Sequence, residues 1–486
     1  MTTADLTSID TWVEQNAEKT ADIANQIWDL SEMRFIEFKS SEILQNYLSD
    51  HGFTIETGIA GMKTAFRASW TNGEGPTIGF LGEFDALAGV SQKAGLDHPE
   101  PRDEVQSGHA CGHNQLGSAS ATAAIAATKA MQESGLTGTI EFYACPAEEG
   151  GSGKTFMARE GVFANTDVFL TWHPMSITTA WTSPTTANVQ ATFRFHGTAA
   201  HAAQSPWLGR SALDAVELMN VGVNYLREHI VPDARVHYAV TNTGGKSPNV
   251  VQANAEVLYL VRAGKVETAN EIYERVQNIA KGAALMTGTE VEVIFEKACS
   301  EYMPNPTITQ VVADELEKVG APVWSEEEKD LAARIKANYG EGEISQHIKQ
   351  ALDFTGGEDP NGMIAEDTAA NVLSEIVLPY TGKGKIIGGS TDVGDVSKNA
   401  PTAQLTLTGM PVGTGMHSWQ VVSVGRTSMA HKGAKVASKV MGRTALRLLQ
   451  DPELVAQAKK EYNDAMGGKA YECPIPEGIE PKPFEG

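Results

Sequence analysis

The sequence reads as an α/β protein: a main domain on a mainly parallel sheet, interrupted by a smaller α+β unit. Strand-like runs alternate with helical ones up to about residue 172, and near Thr186 the pattern switches to strands of strict two-residue alternation. A chain of 486 residues also exceeds what one ordinary core organises, so two domains are expected.

In order, residues 8–50 show helical spacing, with Ile23, Ile27, Trp28 and Leu30 followed by a second apolar set at Ile43, Leu44 and Leu48. Strands are expected at 64–69 and 77–82, the second ending in Glu83-Phe84-Asp85. The Ala-rich, proline-free run 116–131 predicts a buried helix, and 138–145 and 168–172 predict two more strands. Within 186–299, strands at 187–196, 234–241, 256–262 and 291–295 and helices at 211–228 and 267–287 make a compact inserted unit. The main domain therefore comprises 1–185 and 300–486, with an acidic helical insertion at about 324–375 and a late strand at 403–408 ahead of His417. The tail 473–486 holds too much proline for regular structure.

Lys+Arg 38 against Asp+Glu 61 gives a formal charge of −23, which repels phosphate backbones and anionic lipid. Nucleic-acid and membrane partners are excluded on that ground, and no run reaches the roughly 18 apolar residues of a membrane span. An anionic substrate would need local positive charge. Four cysteines do not make a disulfide framework, and residues 1–14 lack the basic and apolar regions of a signal peptide, so a cytoplasmic protein is expected.

Cys111 and His113 offer the two strongest side-chain ligands for borderline-soft divalent metals, two residues apart. A pair cannot close a site, but Glu148-Glu149, His173 and His417 each follow an expected strand. In an open α/β sheet the carboxyl ends of neighbouring strands share one crevice, so these residues are expected to converge. Cys111, His113, Glu149, His173 and His417 meet the demand of a two-metal site; Glu148 is left over as general base, and Asp85 as a partner that fixes an imidazole tautomer. Each motif alone is weak: a lone cysteine is more often core, a lone histidine structural, adjacent glutamates a solvated turn. Gly150-Gly151-Ser152-Gly153-Lys154-Thr155 imitates a phosphate loop, but Glu148 occupies the position of its first glycine and would oppose a triphosphate. In the inserted unit His201, Asn249 and Arg262 supply oxyanion or carboxylate donors, again weakly.

The runs 108–113 (Gly-His-Ala-Cys-Gly-His), 146–151 (Pro-Ala-Glu-Glu-Gly-Gly), 172–174 (Trp-His-Pro), 200–203 (Ala-His-Ala-Ala) and 390–392 (Ser-Thr-Asp) resemble, in order, the amidohydrolase branch of the aminoacylase/carboxypeptidase G metallopeptidases. The resemblance spans nearly the whole chain. It implies a zinc-exopeptidase-like (phosphorylase/hydrolase-like) catalytic domain and an inserted ferredoxin-like lid that also dimerises. It implies two divalent ions, Zn²⁺ or Mn²⁺, held by Cys111, His113, Glu149, His173 and His417, with Cys111 bridging and Glu148 as base. His201 matches the lid histidine that reaches a partner subunit's active site, and Asn249 and Arg262 match substrate-contacting lid positions. Asn114 departs from the branch, which has Asp there. The activity implied is metal-dependent hydrolysis of an aryl-acyl amino acid, p-aminobenzoyl-glutamate first, an aryl-acetyl-aspartate or hippurate-like compound otherwise. The partners implied are that small molecule and a second copy of the chain through the lid, or a homologous subunit, with a regulatory role for this chain as the alternative.

Overall fold

The computed structural model describes residues 5–484; residues 1–4 of the N-terminal stretch and 485–486 of the proline-rich tail lie outside the described residues. The main sheet takes strands from both ends of the chain. Its strands are β1 (Thr54–Thr57), β2 (Phe66–Asn72), β3 (Thr77–Glu83), β4 (Gly138–Cys145), β5 (Val168–Met175) and β6 (Thr179–Ala180). A separate sheet is formed by β7 (Ala187–His196), β8 (Arg235–Asn242), β9 (Asn254–Ala263) and β10 (Glu290–Cys299), after which β11 (Thr402–Thr408) returns to the main sheet.

The main sheet runs β1-β2-β4-β3-β5-β11-β6, and the four central strands are parallel. Near-continuous apolar runs suit strands covered on both faces, and these four are buried along almost their whole length. The edges are antiparallel. The strand β1 escapes the hydrophobic pattern because Thr-Ile-Glu-Thr is a short, largely exposed edge.

The first helices, α1 (Thr7–Gln15), α2 (Ala17–Leu30) and α3 (Phe38–Ser49), carry the apolar stripes expected of 8–50. The Ala-rich helix α4 (His113–Ser134) is buried over most of its length and begins three residues before its apolar pattern does, because His113, Asn114 and Gln115 form a polar first turn. Gly117 on α4 lies against the carbonyl of Glu83, where a Cβ would stand 2.6 Å from that oxygen. That close approach sets the start of α4 beside the end of β3.

The inserted domain orders its strands β8-β9-β7-β10, all antiparallel, with α6 (Ala212–Leu226) and α7 (Val266–Thr287) packed on one face; α5 (Gly153–Arg159) precedes it in the main domain. A βαββαβ chain with this order is ferredoxin-like. After it come α8 (Pro306–Val319), then three helices of the acidic stretch, α9 (Glu326–Lys336), α10 (Glu341–Phe354) and α11 (Met363–Ala370), then α12 (Val393–Ser397), α13 (Trp419–Val424), α14 (Ser428–Gln450) and α15 (Pro452–Met466). No helix of the described residues is long and apolar enough to cross a membrane.

The two parts of the main domain meet along β5 and β11, and one buried charged side chain adds to that junction. Lys154, at the start of α5, is fully buried, and its Nζ lies 2.6 Å from Glu83 Oε1 at the end of β3 and 2.5 Å from Asp392 Oδ1 ahead of α12. The Lys154 backbone N–H also donates to Asp392 Oδ2 at 2.9 Å. Burial disfavours an ammonium, but Asp392 and Glu83 hold its pKa well above the usual lysine range. Its charge is therefore engaged inside the fold rather than offered to a phosphate. Lys154→Met would leave two buried carboxylates without their cation, and the expected cost is about 3–5 kcal/mol, read as a fall in chemical or thermal denaturation midpoint. A loss below about 1 kcal/mol would mean that Glu83 and Asp392 do not depend on the ammonium.

Candidate metal centre

The carboxyl ends of β3, β4, β5 and β11 open on one rim, and each delivers part of a cluster. The loop after β4 turns through Ala147 (φ +60°) and Ser152 (φ +55°), so Glu148 and Glu149 face the rim between two left-handed residues. Glu37 steadies that turn, its Oε1 accepting from the Ala147 N–H at 2.9 Å, and burial together with Asp85 raises the Glu37 carboxyl to about 8. Gly153 closes the turn against the Pro146 carbonyl, where a Cβ would meet the oxygen at 2.0 Å. His173 lies within β5, and His417 sits on the loop after β11 at φ +61°. The His417 N–H donates to the Ala110 carbonyl at 2.9 Å, which ties this loop to the one bearing Cys111.

Three groups of ligand atoms come within 4.8 Å of one another: Cys111 with His113 and His173, Cys111 with Glu149 and His417, and Glu83 with His113 and Glu148. The shortest cross-contacts are 3.4 Å from Cys111 Sγ to His173 Nε2, 3.3 Å from His417 Nε2 to Glu149 Oε2, and 3.2 Å from His113 Nε2 to Glu83 Oε2. Two N or O atoms bound to one tetrahedral zinc stand about 3.3 Å apart, so these spacings suit donors sharing an ion.

The hydrogen bonds leave the right atoms free. His113 Nδ1 donates to Asp85 Oδ1 at 2.8 Å, and His173 Nδ1 donates to the Pro174 carbonyl at 2.9 Å, so both rings turn Nε2 toward the cluster; burial opposes a charged His113, but Cys111 and Asp85 hold its imidazole well above the usual range. Asp85 Oδ2 accepts from the Glu149 backbone N–H at 3.0 Å, so a single carboxylate orients both elements. His113 Nε2 and Glu149 Oε1 are buried and make no hydrogen bond. Buried polar atoms are rarely orphaned, and a cation fits both: the residues present suit a divalent ion.

The electrostatics carry the same stress. Burial and then the charges of Glu83 and Glu149 push the Glu148 carboxyl well above its usual range. Burial acts against ionised Glu149 too, but His417 and His113 bring it down to about 2. Burial raises the Cys111 thiol well above its usual value, with Glu149 adding to the effect. For His173, burial and the neighbouring His113 lower the imidazole to about 4, leaving it neutral as a ligand must be.

The remaining sequence candidates divide. Arg262, on β9, is largely buried and donates from Nη1 to Ser390 Oγ at 2.7 Å, close enough to Glu148 for the two charges to act on each other. His201 and Asn249 stand together on exposed loops of the inserted domain, where the Ala202 N–H donates to the Asn249 carbonyl at 3.0 Å. Neither belongs to the three groups; His201 Nδ1 accepts instead from the backbone N–H of Ala203 and Gln204. Asn114 is buried and donates to the carbonyls of Ala24 and Gly425, a structural position. The sequence names Glu83, Lys154 and Asp392 within motifs but gives them no role at the site, and it passes over Lys297, whose Nζ donates to the Glu149 carbonyl at 2.8 Å from the inserted domain. Glu83 closing a buried strand was the signal for the first.

Residues 186–286 match the model of the peptidase dimerisation domain. The chain is 48% identical, over 98% of each chain, to one of the two types of subunit of p-aminobenzoyl-glutamate hydrolase from Escherichia coli. It is 29% identical to the Xaa-Arg dipeptidase of Mus musculus over 65% of this chain and 72% of the relative. Among solved structures, a dinuclear metal-binding peptidase of the M20 family from Bacillus subtilis superposes with a TM-score of 0.56 at 15% identity, covering 90% of this chain and 99% of that one. An aminobenzoyl-glutamate utilization protein from Klebsiella pneumoniae gives 0.58 at 16% identity, with 90% and 98% covered. The chain belongs to the M20 family of peptidases and amidohydrolases, in the group of p-aminobenzoyl-glutamate hydrolase subunits, and is a hydrolase of amide bonds.

Proposed function

We propose that the chain cleaves p-aminobenzoyl-glutamate to p-aminobenzoate and glutamate at a two-metal centre held by Cys111, His113, Glu149, His173 and His417. The observation that carries the reading is the sharing of Cys111 between two groups of ligand atoms, with Glu148 beside them in a third. The name of the relative at 48% identity supports the substrate. When bound, two divalent ions polarise the scissile carbonyl and acidify the attacking water. Glu148 takes the proton of that water and passes it to the leaving amine nitrogen. Asp85 keeps His113 and the Glu149 backbone in register, and Arg262 binds a carboxylate of the glutamate half.

His201 and Asn249 act from the exposed loops of the inserted domain on the site of a second subunit. The edge strand β8, with Tyr238 and Val240 exposed, and Leu218, Val221 and Tyr225 exposed on α6 offer a surface for that pairing. A homodimer through this surface is the reading adopted. The other candidate for the partner is a chain like the second type of subunit in the E. coli hydrolase, to which this chain is 30% identical over 56% of its length. The full set of candidate ligands and base favours a catalytic rather than a regulatory role. A reducing cytoplasm suits a centre that needs the Cys111 sulfur free, and the four cysteines are unpaired. Zinc suits one thiolate with three imidazoles; manganese is the alternative.

Glu148→Ala is expected to retain its metal by elemental analysis and to lose about 10²–10⁴-fold in kcat. Unchanged turnover would remove Glu148 from the reaction, and lost metal would make it a ligand. Chelation of the wild-type chain should abolish hydrolysis, and Zn²⁺ or Mn²⁺ added to the chain alone should restore it without a second type of chain. Cys111→Ser replaces a soft donor by a hard one, so zinc content should fall more than manganese content when both are offered, by about tenfold or more. Equal retention of both metals would show that the sulfur is not a ligand.

A further inference from the structure

The acidic helical stretch lies against the metal centre. Phe354, at the end of α10, packs edge-to-face on Trp181 with ring centroids 5.2 Å apart, and Trp181 packs in the same way on His173 at 6.4 Å. At the other end of the helix, Tyr339 and Ile344 close on Gly413, where a Cβ would stand 2.9 Å from Ile344 Cδ1, and Tyr339 Oη lies 2.8 Å from Thr414 Oγ1. The helix is thus fastened to β5 through His173 and to the loop that carries His417.

Between these fastenings lies a cavity of about 380 Å³, a volume in the range of small-molecule sites. It reaches Met175, two residues past His173, and Met416, immediately before His417. Glu343, Gln346, His347 and Gln350 line its other wall, and their spacing of three and four residues places them on one face of α10. No lysine or arginine lines it; Lys349 on the same helix is paired with Asp353 at 2.6 Å. His347 is buried, within 3.0 Å of Ser176 Oγ, and burial lowers its imidazole to about 4, so it brings no positive charge either. Lys154 of the main domain is taken up by Glu83 and Asp392, and Arg34 donates to the Gly150 carbonyl at 2.7 Å; the other cations near the centre, Arg262 and Lys297, come from the inserted domain.

The site therefore divides by charge, and so does the proposed substrate: a dianionic glutamate joined to a neutral arylamine. We infer that the α10 cavity is the subsite for the aryl half, with the Met175 and Met416 side chains against the ring and Glu343 accepting from its para-amine. Thioethers pack favourably on aromatic rings and adapt to their shape. One carboxylate oxygen of Glu343, Oε2, accepts from the Gly340 N–H at 3.0 Å and fixes the group at the helix start, which leaves Oε1 for the amine. The same carboxylate repels glutamate, so the cavity also sets which way round the substrate binds.

The inference rests on the proposed substrate, and the test separates the two. Glu343→Gln retains an acceptor for Gly340 but turns an amide N–H₂ toward the cavity, where it cannot accept from an amine. With metal-loaded full-length protein, the variant should raise KM for p-aminobenzoyl-glutamate about tenfold, with kcat held. KM for benzoyl-glutamate, which lacks the amine, should stay within about twofold, and the preference for glutamate over aspartate in the p-aminobenzoyl series should not move. Equal effects on both aryl compounds, no effect on either, or a shifted glutamate/aspartate preference would overturn the assignment. If the wild type hydrolyses neither aryl compound, the proposed function fails. The subsite is then judged by equilibrium binding of p-aminobenzoate and benzoate: a tenfold loss in Glu343→Gln confined to p-aminobenzoate supports it, and equal binding by the two proteins rejects it.

Discussion

The ammonium of Lys154 is the point on which the rest of the centre depends. Glu83 ends a strand of the first chain segment, and Asp392 stands 238 residues beyond Lys154, in the part that follows the inserted domain. Neither carboxylate could be buried as an anion without a cation between them. By joining them, Lys154 adds a buried charged tie across the insertion to the β5–β11 ladder and fixes the end of β3, from which Asp85 orients His113 and Glu149. Glu83 touches both sides of this arrangement, with one oxygen on Lys154 and the other 3.2 Å from His113 Nε2.

The same crowding explains the cluster's readiness for metal. Glu83, Asp85, Glu148, Glu149 and Asp392 converge where burial penalises every charge, and Lys154 is the cation buried among them. The stress appears as a raised Glu148, a raised Cys111 thiol and two orphaned ligand atoms. A divalent ion relieves all of these at once, so metal affinity and folding stability are expected to be linked. The net charge of −23 would oppose a dianionic substrate at long range, and Arg262 is the proposed local answer, with Lys297 adding a second cation beside Glu149.

Legibility in the sequence followed physical range. Local periodicity was enough for the Ala-rich helix, the buried parallel strands and the alternating strands of the inserted domain, because each pattern is written within a dozen residues. It misplaced the start of α4, whose first turn is polar because it carries ligand candidates, and it passed over β1, an exposed edge with no apolar face. The convergence of Cys111, His113, Glu149, His173 and His417 followed from one topological rule, that strand ends of an open sheet share a crevice. What stayed hidden was pairing across long sequence separations. Nothing near Lys154 says that its partner is Asp392, and nothing near Glu343 says that its helix will face Met175.

The inserted domain contributes in two physically different ways. Arg262 and Lys297 lie on its central and edge strands, are held by Ser390 and the Glu149 carbonyl, and meet the main domain within one chain. His201 and Asn249 lie on exposed loops bonded mainly to each other's backbone, with no tie to the cluster. A donor that must meet a developing charge gains from being absent until the site is closed, since water is then excluded at the same moment. Rigid strands suit the residues that hold a substrate throughout, and loops beside an unpaired sheet edge suit those that arrive with a second subunit. On the proposed function, such a division makes dimerisation part of the chemistry rather than only of stability: a lone chain would hold the substrate through Arg262 while lacking the two donors assigned to a second subunit.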